Sequence, residues 1–144
     1  MESEAAHEYS KKMNVSYAPC GLVIHPDAPW LGSSPDGLVY DPHNKVPFGL
    51  CEFKCPNVKS YIDCQYLELC GDDLVLKKQH PYHWQVQGQL LITGMQWCDF
   101  VTYAQDDMLV ERICRDEEIM AQIRVKADYF FFYVYMNKYL SSKR

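Results

Sequence analysis

The chain has 144 residues, which is enough for one domain with a hydrophobic core, and we expect residues 1–144 to form a single domain. A composition of 48% hydrophobic and 23% charged residues excludes an intrinsically disordered protein. The formal net charge of −5 argues against a surface that coats nucleic acid generally. Any contact with nucleic acid must therefore be local, or a bound cation must neutralise the surface.

Cysteine usage indicates the compartment. Seven cysteines occur, an odd number at irregular spacing. The sequence has no signal-peptide pattern and no apolar run long enough to cross a bilayer. We expect free thiols in an intracellular, reducing compartment without membrane contact, and a nuclear, viral or mobile-element origin fits equally well. A helical pattern begins at Glu2, which is consistent with a domain cut from a longer protein.

The first part of the chain predicts one helix followed by three strands. A segment without proline or glycine predicts a helix from Glu2 to about Met13. The proline-containing segment 26–35 is predicted to be a loop. Strands two and three are predicted to form a hairpin across the turn at 41–44. The three strands are 22–25, 38–40 and Phe48–Lys54.

The second part predicts three further helices and two strands. The spacing of Tyr61, Cys64 and Leu67 or Leu69 predicts a helix over residues 60–69 with these side chains buried. A helix over 83–92 is bounded by Pro81 and Gly94, and Asp116 is predicted to cap a final helix that reaches about residue 139. The strands are 98–103 and 108–113. This order of elements predicts an α/β fold, a central mixed sheet of about five strands with helices on both sides.

The first functional motif is Ser34-Pro35-Asp36-Gly37-Leu38, followed by a strand that carries Glu52 and Lys54. Proline restricts its own φ and glycine accepts positive φ, so Asp36 is expected in a turn. Residues two apart in a strand share a face, which puts Glu52 and Lys54 together and Phe53 on the other side.

This set of residues suits a hard divalent cation. Asp36 and Glu52 supply carboxylate oxygens, and the main-chain carbonyl of Phe53 could supply a third oxygen to Mg²⁺ or Mn²⁺. Lys54 would face the attacking water or a phosphate, which is the chemistry of phosphodiester hydrolysis. The alternative is that Asp36 is a turn residue and that Glu52 and Lys54 form a surface charge pair, since this triplet is common.

Three glutamines mark the helix at 83–92. Gln85 and Gln89 are one turn apart on one face, and Gln87 lies roughly opposite. Such a density of glutamine predicts the lining of a polar cleft, and a solvated face is the alternative. Glu2 would add another acid if its helix crosses the same cleft, and otherwise it is a surface residue.

Taken together, these motifs resemble the lambda-phage exonuclease family, also called YqaJ-type viral recombinases, within the PD-(D/E)XK nuclease superfamily. The resemblance covers nearly the whole chain, and it depends on the combination and order of the motifs. The matching stretches are Glu2-x-x-Ala5-x-x-x-Tyr9, Ser34-Pro35-Asp36-Gly37-Leu38, Glu52-Phe53-Lys54-Cys55-Pro56, Gln85-Val86-Gln87-Gly88-Gln89, Thr93-Gly94 and Trp97-Cys98-Asp99-Phe100.

The resemblance implies a restriction-endonuclease-like core and a role for each matching residue. Asp36 and Glu52 resemble the metal-binding carboxylates, Lys54 the catalytic lysine and Gln85 the residue that holds the lysine or the water. Glu2 resembles the helix glutamate near the metal. By the same resemblance Ser33, Ser34 and Gln87 are candidates for contacting DNA.

The resemblance also implies a substrate and partners. Members of this family digest linear double-stranded DNA, usually from a 5′ end, and leave a single strand for an annealing or recombinase protein. Some relatives are ring-shaped trimers. The family carries a basic segment before the glutamate helix, and we expect this chain to be without it, which leaves end recognition and processivity open.

Alternatives remain at this stage. A zinc site could use cysteines and histidines between Cys51 and His83, but no C-x₂-C pair occurs among them. No cysteine has a context that would make it a nucleophile. The domain could also be a binding module that keeps the nuclease fold without catalysis, or it could cut internally or cut RNA with the same metal chemistry.

Overall fold

The computed structural model of the protein describes residues 2–142. Over this range a five-stranded sheet forms the centre, and two separate two-stranded hairpins lie outside it. The helices and strands in chain order are α1 (Glu2–Met13), β1 (Ser16–Pro19), β2 (Val23–His25), β3 (Ala28–Ser33), β4 (Gly37–Tyr40), β5 (Phe48–Lys54), β6 (Leu67–Cys70), β7 (Asp73–Leu76), α2 (Pro81–Thr93), β8 (Trp97–Tyr103), β9 (Met108–Cys114), α3 (Glu117–Tyr129) and α4 (Met136–Ser142).

The central sheet is mixed, with strand order β1-β4-β5-β8-β9. Its neighbouring strands are antiparallel except for β5 and β8, which run parallel with Leu50 opposite Cys98 and Lys54 opposite Thr102. A parallel pair needs a long crossover, and the segment between these strands contains α2. The predicted α/β fold with a mixed sheet of five strands and flanking helices is confirmed.

Side chains alternate along β5 and β8, so the sheet has a separate hydrophobic cluster on each face. Helices α2 and α3 cover one face, and α1 covers the other. The α2 side includes Leu50, Val86, Leu90, Cys98, Phe100 and Met120. The α1 side includes Ala5, Ala6, Tyr9, Cys51, Phe53, Trp97 and Val101.

A buried polar network fixes α1 to the sheet. Asp99 on β8 is fully buried, and its two oxygens accept hydrogen bonds from Nε and Nη2 of Arg112 at 2.8 and 2.9 Å. The Tyr9 hydroxyl of α1 donates to the same carboxylate. Arg112 also pairs with Asp41 at 2.8 Å, and its guanidinium lies 3.8 Å from the ring centroid of Trp97.

Several sequence-based predictions were wrong because strand pairing overrides the local sequence pattern. Residues 60–69 contain a short 3₁₀ turn (Tyr61–Asp63) and then β6, because Leu67–Cys70 pairs with Asp73–Leu76 in a hairpin. Part of the predicted loop 26–35 is β3, which pairs with β2 despite Pro29. Strand β1 was missed because it is short and is stabilised by pairing with β4. The predicted helix Glu2–Met13 and the β4–β5 hairpin are confirmed.

The C-terminal helix differs from the single regular helix expected. A π-helical segment (Phe130–Tyr135) separates α3 from α4, and the Met136 N–H bonds to the carbonyl of Phe131, five residues back. Within this segment Phe130 is exposed, whereas Phe131 stacks on Trp30. No helix within residues 2–142 has both the length and the apolar character needed to cross a membrane.

Candidate active site

Asp36 lies in the turn between β3 and β4, held by its main chain and its side chain. Its carbonyl oxygen accepts hydrogen bonds from the Tyr17 hydroxyl at 3.2 Å and from the Cys20 N–H at 3.3 Å. Its Oδ2 accepts the N–H of Phe53 at 2.7 Å. The last bond ties the turn carboxylate to the middle of the Glu52–Phe53–Lys54 triplet on β5.

Gly37 supports this turn by its lack of a side chain. A Cβ at this position would lie 2.0 Å from Cε2 of Tyr17 and 2.8 Å from Sγ of Cys51. The prediction that this glycine is needed for positive φ is wrong, since the positive-φ glycines among residues 2–142 are Gly71 and Gly94. Gly37 is required because the ring of Tyr17 packs directly against its main chain.

Glu52 and Lys54 share the α2-facing side of β5, as the alternation predicts. Glu52 is 5% exposed, and its Oε1 lies 3.6 Å from Nζ of Lys54. Cys51 and Phe53 point the other way, into the cluster under α1. A buried carboxylate and a lysine are therefore held side by side, opposite the start of α2.

Two glutamines of α2 hold this pair. Gln85 accepts a hydrogen bond from Nζ of Lys54 at 3.2 Å and donates to Oε1 of Glu52 at 3.3 Å. Gln89 donates to the other carboxylate oxygen, Oε2, at 3.1 Å. The structure thus brings Asp36, Glu52, Lys54 and Gln85 together. Gln89 was not among the predicted site residues, although its place one turn after Gln85 was visible in the sequence.

The carboxyl groups of Glu52 and Glu2 both have raised pKa values. Burial raises the pKa of Glu52, and the nearby Asp36 raises it further, while the hydrogen bond from Gln89 and the charge of Lys54 oppose the shift. Interaction with the carboxyl group of Asp36 is the main cause that raises the pKa of Glu2, and burial adds to it. Acidic groups placed this close together are stabilised by a shared proton or by a bound cation.

Comparison with known proteins identifies the family of this chain. Residues 1–96 match the family described as YqaJ-like viral recombinase domain. The chain belongs to the YqaJ-like viral recombinase family. This confirms the resemblance to lambda-type exonucleases drawn from the motifs.

Solved structures of a related enzyme have the same fold. The chain is similar to the alkaline exonuclease LHK-Exo from Laribacter hongkongensis, with 32% identity, a TM-score of 0.77 and coverage of 99% of this chain and 69% of that chain. A second structure, LHK-Exo in complex with dAMP, matches with the same identity and coverage and a TM-score of 0.74. A search of curated proteins found no matching sequence.

The donor set of this YqaJ-like domain fits magnesium or manganese. Among residues 2–142 no group of three or more histidine, cysteine, aspartate and glutamate side chains is arranged to hold a metal ion. Mg²⁺ commonly binds through one or two carboxylates and keeps several waters, and Asp36 and Glu52 provide that number next to the Phe53 main chain. Glu2 interacts with Asp36 electrostatically. Its role as a further metal ligand stays a prediction.

A zinc site is not assembled in the described part of the chain. Structural zinc needs four cysteine or histidine ligands at one point. Cys51 is buried under α1, whereas Cys64 is buried on the α2 side of the sheet. All seven cysteines are free.

The remaining predicted site residues lie in different surroundings. Ser34 is exposed and lines a groove of about 1020 Å³ that also includes Asp36 and Glu2. Ser33 ends β3 and is half-buried beside it. The prediction that Gln87 contacts DNA is wrong, because its side chain is fully buried, donating to the Cys114 carbonyl at 2.9 Å and accepting the Asp116 N–H at 2.9 Å.

Proposed function

We propose that this chain is a metal-dependent deoxyribonuclease that removes nucleotides from the ends of linear double-stranded DNA. The observation that carries the proposal is that Asp36 is bound to the main chain of Phe53, between Glu52 and Lys54, and that Gln85 contacts both of these side chains. This set of residues lies within a domain of the YqaJ-like family that shares its fold with an alkaline exonuclease.

Each residue has a defined part in the proposed hydrolysis. Asp36 and Glu52 would hold Mg²⁺ or Mn²⁺, which when bound supplies charge that activates a water and stabilises the phosphate oxygens. Lys54 directs its ammonium group toward the attacking water or the phosphate, where it stabilises developing negative charge. Gln85 orients Lys54 by accepting one of its three N–H bonds, and Gln89 fixes the Glu52 carboxylate in one orientation.

The groove beside the carboxylates is a suitable path for the DNA strand. It runs from Asp36 and Glu2 along α1 and β1 and has hydroxyl or imidazole groups from Ser10, Ser34 and His7 on its walls. An exposed hydroxyl such as that of Ser34 can donate to a phosphate oxygen, so contact with the DNA backbone does not require the dense positive charge that a protein of net charge −5 lacks. The bound metal would neutralise the carboxylates at its end.

Several finer features belong to the same proposal by family resemblance. They are 5′-to-3′ polarity, delivery of the product strand to an annealing or recombinase protein, and assembly into a trimer. The free thiols of all seven cysteines support an intracellular reducing compartment, including a nucleus or a virus-infected cell.

The test compares Lys54→Ala with a matched lysine variant on end-labelled linear duplex DNA in Mg²⁺. We expect Lys54→Ala to lower the cleavage rate by about 100-fold or more while it keeps its melting temperature and most of its Mn²⁺ affinity. Lys59→Ala is the control, because Lys59 is 80% exposed and only weakly paired with Asp106 at 4.0 Å. Normal turnover by Lys54→Ala would overturn the role assigned to that lysine.

A non-catalytic binding module is the competing function, and calorimetric titration with Mn²⁺ separates the two. The proposal predicts a binding site that is lost in Asp36→Ala. If folded wild-type protein neither binds Mn²⁺ through Asp36 nor cleaves DNA, the binding module becomes the better account.

A further inference from the structure

Tyr82 lies at the start of α2, three residues before Gln85 and seven before Gln89. These spacings place all three residues on one face of the helix, and that face is directed at β5. The glutamines hydrogen-bond to the Glu52–Lys54 pair, whereas Tyr82 presents its ring: Nζ of Lys54 lies 4.3 Å from the ring centroid.

We propose that Tyr82 is a positioning residue for Lys54, in which the face of the ring holds the ammonium group through a cation–π interaction. The inference rests on the proposed nuclease function, because holding Lys54 in one position affects activity only if Lys54 takes part in the reaction. A ring face attracts a cation without accepting one of its hydrogen bonds in a fixed direction. It therefore restricts the ammonium group while leaving an N–H free for a phosphate or a water.

The ring is better fixed than Gln85, the other α2 side chain that contacts Lys54. Tyr82 is half-buried, with His80, Tyr66 and Phe100 at centroid distances of 4.6, 5.1 and 6.1 Å. Its N–H is bound to Nδ1 of His80, the cap of α2, at 3.1 Å.

Gln85, in contrast, is exposed, and its contact with Nζ is a single hydrogen bond of 3.2 Å. An exposed glutamine loses side-chain entropy when it is ordered, so alone it restrains a lysine weakly. The ring of Tyr82 supplies the rigid surface against which Gln85 and Glu52 can hold the ammonium group.

Three variants separate the ring face from the hydroxyl and from packing. In Mg²⁺ on linear duplex DNA, we expect Tyr82→Leu to lower kcat by about tenfold, as removal of a partly desolvated cation–π contact predicts. Tyr82→Phe keeps the ring and should stay within about twofold of wild type by the same reasoning. Neither variant should change KM for DNA or the Mn²⁺ affinity by more than about twofold, because Lys54 is not a metal ligand in this account.

Phe100→Leu is the packing control. Phe100 belongs to the same aromatic cluster and packs on Tyr66 and Tyr82, whereas the contact of Lys54 is with the Tyr82 ring. We expect this variant to lower the melting temperature and leave kcat within about twofold. A loss of kcat in Phe100→Leu or Tyr82→Phe equal to that in Tyr82→Leu would overturn the positioning role.

A second readout does not depend on nuclease activity. Reductive ¹³C-methylation of lysines keeps their charge, and the Lys54 signal can be assigned by its absence from Lys54→Arg. We expect the methyl signal of Lys54 to be shifted upfield by the Tyr82 ring in wild type and in Tyr82→Phe, and not in Tyr82→Leu. An unshifted Lys54 signal in wild type would overturn the contact, whereas absence of cleavage beside a shifted signal would count against the nuclease function alone.

Discussion

At the scale of single residues, the site depends on how Glu52 is held. Its two carboxylate oxygens are bound by different amides, Oε1 by Gln85 at 3.3 Å and Oε2 by Gln89 at 3.1 Å. Gln85 is exposed and Gln89 is 2% exposed, so Gln89 is the more rigid support. The side-chain Oε1 of Gln89 is buried and has no hydrogen-bond partner within residues 2–142, so the bond to Glu52 is the one described hydrogen bond of this amide.

Replacing Gln89 with leucine should weaken metal binding. The variant removes the hydrogen bond that opposes the raised pKa of Glu52, so the carboxylate is less often ionised and less well oriented. We expect Mn²⁺ affinity at pH 7 to fall by about tenfold, as for other groups that orient a metal ligand. Calorimetric titration measures this, with Gln122→Leu on the exposed side of α3 as the matched control. Unchanged affinity in Gln89→Leu would contradict the assigned role.

His83 on the opposite face of α2 makes stability depend on pH. Its side chain is 6% exposed, and in the described range neither ring nitrogen has a hydrogen-bond partner. Burial lowers the pKa of His83 below its ordinary value of 6.5, with Asp116 opposing the shift and Lys78 adding to it. The unfolded chain therefore binds a proton at this histidine more readily than the folded chain does. Well above pH 6.5 neither state binds it, and as the pH falls below 6.5 the proton bound by the unfolded chain lowers the free energy of unfolding.

His83→Leu should remove this dependence. We expect the variant to unfold with a free energy about 1 kcal/mol higher than wild type at pH 7, because two buried polar atoms without partners are replaced by carbon. Between pH 7 and pH 5 its stability should fall less steeply than that of wild type. Urea unfolding across this range measures both effects, and parallel pH profiles for the two proteins would refute the assignment.

At the scale of elements, α1 is joined to the sheet by the network around Asp99. Arg112 on β9 lies directly opposite Asp99 in the strand register, and Tyr9 reaches the same carboxylate from α1. The Arg112 guanidinium lowers the pKa of Asp41, so it stabilises that carboxylate as well. Because Asp99 is fully buried, its charge depends on these partners.

Arg112→Met should therefore destabilise the fold strongly. Leaving Asp99 buried without its cation predicts a loss of about 3–5 kcal/mol in the free energy of unfolding, measured in urea. Arg124→Met is the control, because its pair with Asp128 is one-third exposed and should contribute less than about 1 kcal/mol. Adding Asp99→Asn to Arg112→Met should recover much of the loss. A double variant as unstable as the single one would show that the buried charge is not the cause.

Which side chains share a face of β5 or of α2 could be predicted from the sequence. Period-two alternation in Phe48–Lys54 correctly put Glu52 and Lys54 on one side, and the spacing of Gln85 and Gln89 correctly put them on one face of α2. Such patterns are local and are visible without knowledge of partners. The contact of Lys54 with Tyr82 joins β5 to α2, so the local pattern of neither segment could predict it.

At the scale of the whole molecule, the fold class was predictable and some pairings were not. Local signals define the α/β arrangement: Pro81 and Gly94 bound α2, and a polar turn at 105–107 separates β8 from β9. The segment 60–69 was misassigned because apolar residues three apart suit a helix, whereas Leu67–Cys70 pairs with Asp73–Leu76 and the start of the segment is held by Asp107. This aspartate accepts from the Ser60 hydroxyl and, at 2.9 Å, from the Tyr61 N–H. A partner more than forty residues away along the chain leaves no local signal.

The measurement that tests the central claim most directly compares a linear duplex, labelled at one end, with a closed circle of the same sequence. Both are incubated with purified protein in Mg²⁺, in Mn²⁺ and with a chelator, beside Asp36→Ala. The account predicts metal-dependent loss of the linear duplex alone, absent in Asp36→Ala, with release of the 5′ label first. Cleavage of the circle would contradict action from an end, and cleavage that survives the chelator would contradict the metal chemistry assigned to Asp36 and Glu52.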